Sequence, residues 1–268
     1  MKLHRFAVVL AAALALAAAT PASAVMFGAP DGNAHPNVGL IVFYTGDHTP
    51  QWRCSGTLIS PRVVLTAAHC TELAGPASVW FDSDVEPFVG PGGYPFYGGT
   101  GSVTGTAIPY PGWQGGLFLP DTGDVGVVVL DGPSTLAPAA LPEAGTLDGL
   151  ATRRGLQNRT FDAVGYGLQG VKPVTLSERT RFQGTVQLVN VRSALTDGFN
   201  LQVTSAPGTG GGTCFGDSGG PMLLEGTSTV VSVNSFVLNS QCMGSGFSYR
   251  IDRQPILDWL NAQIAANP

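Results

Sequence analysis

Ser218 lies in GTCFGDSGGP, residues 212–221, with an aspartate before it and two glycines behind. A serine hydroxyl attacks a carbonyl only when a base takes its proton, and a neutral imidazole does so near pH 7. The string Gly216-Asp217-Ser218-Gly219-Gly220 fits the G-x-S-x-G turn of α/β-hydrolases as readily as it fits another serine loop. The α/β-hydrolase turn requires the chain order serine, acid, histidine. No histidine follows Ser218, and none follows His69, so any imidazole base must come from far upstream and reach the serine through the fold.

His69 closes the stretch VVLTAAHC, residues 63–70, an apolar run that ends in two alanines, the histidine and a cysteine. Asp124 opens an alternating run in TGDVGVVVL, residues 122–130. These two segments and GDSGGP, in the order His, Asp, Ser, resemble the three motifs of trypsin/chymotrypsin-like serine proteases of the secreted bacterial type. The resemblance extends from Val25 to the C-terminal helix and weakens in the glycine-rich insertions. It implies that His69 is the general base and Ser218 the nucleophile. It gives Asp124 the task of fixing the imidazole tautomer and stabilising the imidazolium, and losing such a carboxylate costs about 10⁴ in rate in the chymotrypsin-type triad. It also implies an oxyanion hole formed by the backbone N–H groups of Gly216 and Ser218. Asp82, Asp84 and Asp121 read as solvated loop residues, and the polar surroundings of His35 and His48 give those two no role.

Further residues follow from the same resemblance. A mature chain beginning Val25-Met26-Phe27-Gly28 would fold inward so that its ammonium meets Asp217, the aspartate before the nucleophile. No basic activation site precedes Val25, so signal peptidase itself is expected to create the activating terminus. The specificity pocket is expected from Gly212, Ser235, Phe236, Val237 and Gly246. Gly212 stands where trypsins carry an aspartate, so cleavage after Arg or Lys is not expected, and Val237 in place of a glycine narrows the entrance toward small or medium apolar side chains.

The elements that must position these residues are strands. Glycine (37 residues) and proline (20) separate short β-branched runs such as Val38 to Tyr44, Gly56 to Ile59, Val63 to Thr66, Val125 to Leu130, Thr185 to Val191 and Val230 to Phe236. The one convincing helix is C-terminal, where Ile256, Leu260 and Ile264 recur every four residues beside Trp259, and Asp252 is placed to cap it. The expected fold is all-β, two six-stranded antiparallel Greek-key barrels with a C-terminal helix. An N-terminal barrel over 25–140 would carry His69 and Asp124, and a C-terminal one over 141–268 would carry Ser218, the pocket and the helix. The Pro-, Gly- and Ala-rich stretch 131–149 reads equally as a linker or a long surface loop.

Composition narrows the setting. Residues 1–24 run from a basic tip with Lys2 and Arg5 through 14 apolar residues, Phe6 to Ala19, to Ala22-Ser23-Ala24. That is the layout of a secretory signal peptide, too short for a bilayer span of about 20 residues, and without the polar face of an amphipathic anchor. Of the 13 basic residues two fall in this segment, so 11 basic face 18 acidic ones in the 244 residues from Val25, a net charge of −7. With no basic cluster, nucleic acid is excluded as a partner. In an exported chain Cys54, Cys70, Cys214 and Cys242 are expected as disulfides, with three pairings open. The resemblance selects Cys54 with Cys70 and Cys214 with Cys242. The three histidines beyond residue 24 do not cluster as zinc ligands, and the acidic FDSDVEP, residues 81–87, reads as surface before it reads as a calcium loop.

The resulting expectation is a secreted, extracellular, monomeric serine endopeptidase acting on proteins or peptides. It would need no cofactor or metal and have no membrane association after signal cleavage. A catalytically inactive protease-like binding protein and an esterase using the same triad are the alternatives.

Overall fold

The run VGLIVFY forms β2 (Val38–Tyr44), buried at all seven positions. β-Branched and aromatic side chains suit a strand that closes a barrel on one face and is covered on the other. The cover here is polar-tipped: the Tyr44 hydroxyl donates to Pro95 O, and Tyr166 and Arg181 both donate to Val38 O. In the computed structural model, which describes residues 25–72, 75–150, 158–171, 173, 175–206 and 208–268, β2 pairs with β3 (Pro50–Ser60) and β5 (Pro76–Trp80). With β4 (Val63–Thr66), β6 (Ser102–Pro109) and β7 (Gly126–Leu130) they close a six-stranded antiparallel barrel in the order β2-β3-β4-β7-β6-β5. The export segment expected over residues 1–24 lies outside the described residues.

The second barrel is built from β8 (Thr160–Gly165), β9 (Phe182–Asn190), β10 (Asn200–Ser205), β11 (Pro221–Leu224), β12 (Val230–Val237) and β13 (Gly244–Arg250). Its order is β9-β10-β13-β12-β11-β8, and the pairing of β8 with β9 closes it. A two-residue strand β1 (Ala29–Pro30) adds to the outside of β9. The two barrels and the helix agree with the expectation from the sequence.

The stretch 131–149 connects β7 to β8 and is hydrogen-bonded to both barrels: Ala139 N donates to Leu58 O and Ala140 N to Ser228 O. The C-terminal helix α2 (Gln254–Ala266) follows a one-turn helix α1 (Ala68–Thr71) in chain order. Ile256 and Leu260 of α2 are buried in the larger core cluster, and Trp259 meets Tyr110 edge-on at 5.4 Å, so the helix returns to the first barrel. Asp252 does not cap it. Arg253 occupies the cap position without a side-chain bond, while Asp252 is held by Arg250 and accepts from Leu147 N. A carboxylate buried beside a guanidinium gains more there than at a solvent-facing helix end.

A buried ion network joins the N-terminal segment to both barrels. Arg181, wholly buried, donates to Asp31, Asn33, Tyr166 Oη and the carbonyls of Val38 and Phe81. Burial works against ionisation of Asp31, but hydrogen bonds from His35 and Arg181 prevail and hold its carboxyl down at about 2. His35 therefore has a structural partner in Asp31, 2.6 Å away, and His48 stacks on Tyr97. Both disulfides form, Cys54–Cys70 and Cys214–Cys242. Closing the histidine loop is worth about 3 kcal/mol in the chain-entropy account.

Candidate active site

His69 is carried by α1, the single turn that follows β4. Two contacts with β3 anchor that turn: the Cys54–Cys70 disulfide and a hydrogen bond from Trp52 Nε1 to Cys70 O at 2.9 Å. Asp124 sits just ahead of β7, the neighbour of β4, and is 0 % exposed. Its Oδ1 accepts from the His69 backbone N–H at 2.9 Å, and its Oδ2 lies 2.8 Å from His69 Nδ1. Ser235 Oγ donates to the same Oδ2 at 2.5 Å. The sequence reading placed Ser235 in the pocket wall alone; only the pairing of β12 against its neighbours reveals this second contact.

Burial disfavours the charged imidazole. The Asp124 carboxylate, by its charge and its hydrogen bond, outweighs that effect with a further contribution from Glu72, and the His69 pKa stands above the ordinary 6.5. A base tuned upward in this way keeps a strong pull on a hydroxyl proton around neutral pH.

Ser218 lies in the loop between β10 and β11, pressed against the first barrel. Ser55 N donates to Ser218 O at 2.8 Å. Gly219 has φ +80°, and a Cβ there would collide with Thr66 Oγ1 and Ser55 O, so glycine is what lets this loop approach β3 and β4. Ser218 and His69 line one cavity of about 270 Å³ without a direct hydrogen bond between them. Nucleophile–base contacts are commonly loose in empty sites. Among the described residues neither the Gly216 N–H nor the Ser218 N–H has an acceptor in the protein.

Asp217 is also 0 % exposed, with Oδ1 accepting from Gly167 N and Oδ2 from Cys214 N, both at 2.9 Å. Burial pushes its carboxyl up to about 7; the two amide donors and the positive charge of Arg53 offset only part of that. Val25 is buried among Leu147, Phe161, Ala163 and Val186, and Met26 bridges to Gly212. In the full chain the Val25 nitrogen belongs to a peptide bond, and among the described residues no hydrogen bond or ion pair joins Val25 to Asp217.

The cavity wall includes Ser235, Phe236 and Val237, together with Thr213, Cys214, Asn234 and also Leu117 and Phe215. Gly212 and Gly246, also expected in the pocket, are not among the residues that line it. A Cβ on Gly212 would collide with Ser205 Oγ, whose hydroxyl donates to Cys242 O, so a side chain at 212 has no room. Val237 pairs with Gly246, and Phe236 stacks flat on Phe247 at 4.6 Å. Leu117 and Phe215 are both substantially exposed, and their apolar position beside His69 has no signature in local sequence pattern.

Among the described residues, His69 with Cys54 and Cys70 is the one grouping of metal-ligating type, and both sulfurs are committed to a disulfide. Two of the carboxylates in 81–87 have protein partners: Asp84 accepts from Glu86 N, and Glu86 pairs with Arg179. No helix among the described residues is long and apolar enough to cross a membrane.

A collagenase of Hypoderma lineatum is 28% identical over 280 residues, covering 96% of this chain and 96% of its own. A glandular kallikrein of Sus scrofa is 28% identical over 249 residues, covering 88% and 94%. A brachyurin of Leptuca pugilator is 29% identical over 224 residues, covering 80% and 89%. The solved structure of HL collagenase shares the fold, with a TM-score of 0.66 at 20% identity over 90% of this chain and 98% of that one. The family model described as Trypsin matches residues 31–260, and the chain belongs to the trypsin family of serine endopeptidases.

Proposed function

We propose that the protein is a secreted endopeptidase in which His69, Asp124 and Ser218 act as the catalytic triad and whose pocket takes small or medium apolar side chains. The observation that carries this reading is His69, paired with the buried Asp124 and lining the same cavity as Ser218. His69 Nε2 takes the Ser218 proton as Oγ attacks the scissile carbonyl. The tetrahedral oxyanion is received by the N–H groups of Gly216 and Ser218, which have no acceptor among the described residues. The imidazolium then protonates the leaving amine, the C–N bond breaks, and an acyl-Ser218 ester remains. Water, deprotonated by the same imidazole, attacks the ester and returns Ser218 with its proton. No cofactor enters the cycle.

Several features support the specificity. The cavity is small, its wall at Val237 and Cys214 is apolar, and the steric block at Gly212 leaves no place for a carboxylate that would bind a basic side chain. Export with cleavage after Ala24 follows from the leader composition, and a new ammonium at Val25 would supply the buried Asp217 with the cation it lacks. The enzyme acts as a monomer in the extracellular medium.

The test is a cleavage-site profile on a diverse peptide library, run beside Ser218→Ala and with phosphonofluoridate labelling. Cleavage after small or medium apolar residues, abolished in Ser218→Ala, with the label on Ser218, is expected. An unlabelled and inert protein would make the chain a binding homologue, and hydrolysis of esters but not amides would make it an esterase.

A further inference from the structure

The peptide that would bind the oxyanion is held in place by groups outside the triad. Phe215 O accepts from Leu168 N at 2.9 Å. Because the carbonyl and N–H of a trans peptide point in opposite directions, that bond aims the Gly216 N–H away from Leu168. The next carbonyl, Gly216 O, accepts from Ser55 Oγ at 2.9 Å, and Ser55 Oγ itself accepts from Tyr166 N at 2.9 Å. Ser55 belongs to β3 of the first barrel, whereas Gly216 and Tyr166 belong to the second. It is wholly buried, and its backbone is also committed: its N–H donates to Ser218 O and its carbonyl accepts from Thr66 Oγ1.

We propose that Ser55 is a positioning residue for the oxyanion hole, its hydroxyl tying the Gly216 carbonyl and the Tyr166 amide together across the barrel interface so that the Gly216 and Ser218 N–H groups stay aimed at one point. This rests on the protease reading above. A hydroxyl suits the place because it donates to one main-chain group while accepting from another, and an alanine leaves both unpaired. The same peptide donates from Asp217 N to Cys214 O at 3.0 Å, so release at Gly216 O leaves it held at one edge, able to tilt and carry the adjoining Gly216 N–H out of line. The cost then falls on the transition state, where the oxyanion exists, more than on the bound substrate.

The experiment compares the parent chain with Ser55→Ala and Ser55→Thr, which keeps the hydroxyl. Peptide amide hydrolysis is measured together with inhibition by a peptide boronic acid, whose adduct with serine is tetrahedral. Ser55→Ala should lower kcat about tenfold with KM changed by less than about twofold, and should weaken the boronic acid by a similar factor. The acid limb of the pH profile should stay where it is, since His69 and Asp124 are untouched. Ser55→Thr should recover most of kcat. Where Ser55→Ala does not fold, Ser55→Gly, which removes the hydroxyl without setting a methyl against two polar groups, is read in the same way. Parental kcat and boronic acid affinity in the hydroxyl-free variant overturn the proposal, as does a loss that appears only in KM. A parent protein that neither cleaves peptides nor binds the boronic acid overturns the protease reading instead.

Discussion

Two carboxylates, Asp124 bonded to His69 and Asp217 preceding Ser218 in the chain, are equally buried and differently supplied. Asp124 receives an imidazole, a serine hydroxyl and a main-chain N–H. Asp217 receives two main-chain N–H groups and no cation in hydrogen-bond contact, and it is pushed up to about 7. A buried carboxylate stays ionised when partners compensate for lost water, and binds a proton when they do not. The first environment is complete in the full chain, whereas the second becomes complete once a positive group reaches it. The fold by itself supplies the Asp124 end of the site, and under the processing proposed above the Val25 ammonium would supply the Asp217 end.

Replacing the better-supplied carboxylate should have the largest effect. Asp124→Asn is expected to lower kcat by about 10⁴, because the amide cannot hold the imidazole in the required tautomer or stabilise its cation. In the parent enzyme kcat/KM should fall as pH drops through a His69 pKa above 6.5, since protonation removes the base. In Asp124→Asn that limb should move to lower pH, because burial then acts with little opposition. A rate profile that does not shift would show that Asp124 is not what raises His69.

The poorly supplied carboxylate should respond to processing. A chain beginning at Val25 should be about 10²-fold more active than one extended by a few residues, the size expected if a buried charge goes unpaired. Stability carries the same signature. Asp217 has a folded pKa of about 7 against 3.8 for an ordinary aspartate, so the folded extended chain holds a proton that the unfolded chain releases. The Asp217 contribution to its stability should be full below about pH 4, be lost by a few kcal/mol as pH rises to about 7, and level off above. Urea midpoints on Ser218→Ala material, with and without the extension, measure this slope, and a slope equal in both forms would mean that Val25 never reaches Asp217.

The smallest effect belongs to the donor that Asp124 shares with the pocket wall. Ser235→Ala removes one of three hydrogen bonds to the carboxylate and should lower kcat/KM about tenfold. Turnover on two substrates of different size separates its contact with Asp124 from its part in the wall, since only the latter changes selectivity.

The sequence was most informative where chemistry depends on residue type and order. His69 and Asp124 stand out because each closes or opens a strand run and Ser218 because of its GDSGGP string, the three together resembling one family's motifs, and the absence of a histidine after residue 69 excludes one hydrolase order. The terminal helix was visible in its four-residue spacing, yet Asp252 was misread as its cap because a buried partner, Arg250, lies outside any local pattern. Leu117 and Phe215 escaped notice because an apolar residue in a loop carries no periodicity.

Local patterns of strand, turn and motif survive in one dimension because each is set by neighbours within a few residues, so the chain alone determined the strand runs, the terminal helix, the cysteine inventory and the three motifs whose resemblance implied the barrels and the candidate triad. Which donors meet at Asp124, why Gly212 admits no side chain, and how Ser55 reaches Gly216 across 161 residues were decided only when the two barrels closed on one another. Hydrogen bonds act over about 3 Å, and segments so far apart in the chain come that close only through the fold.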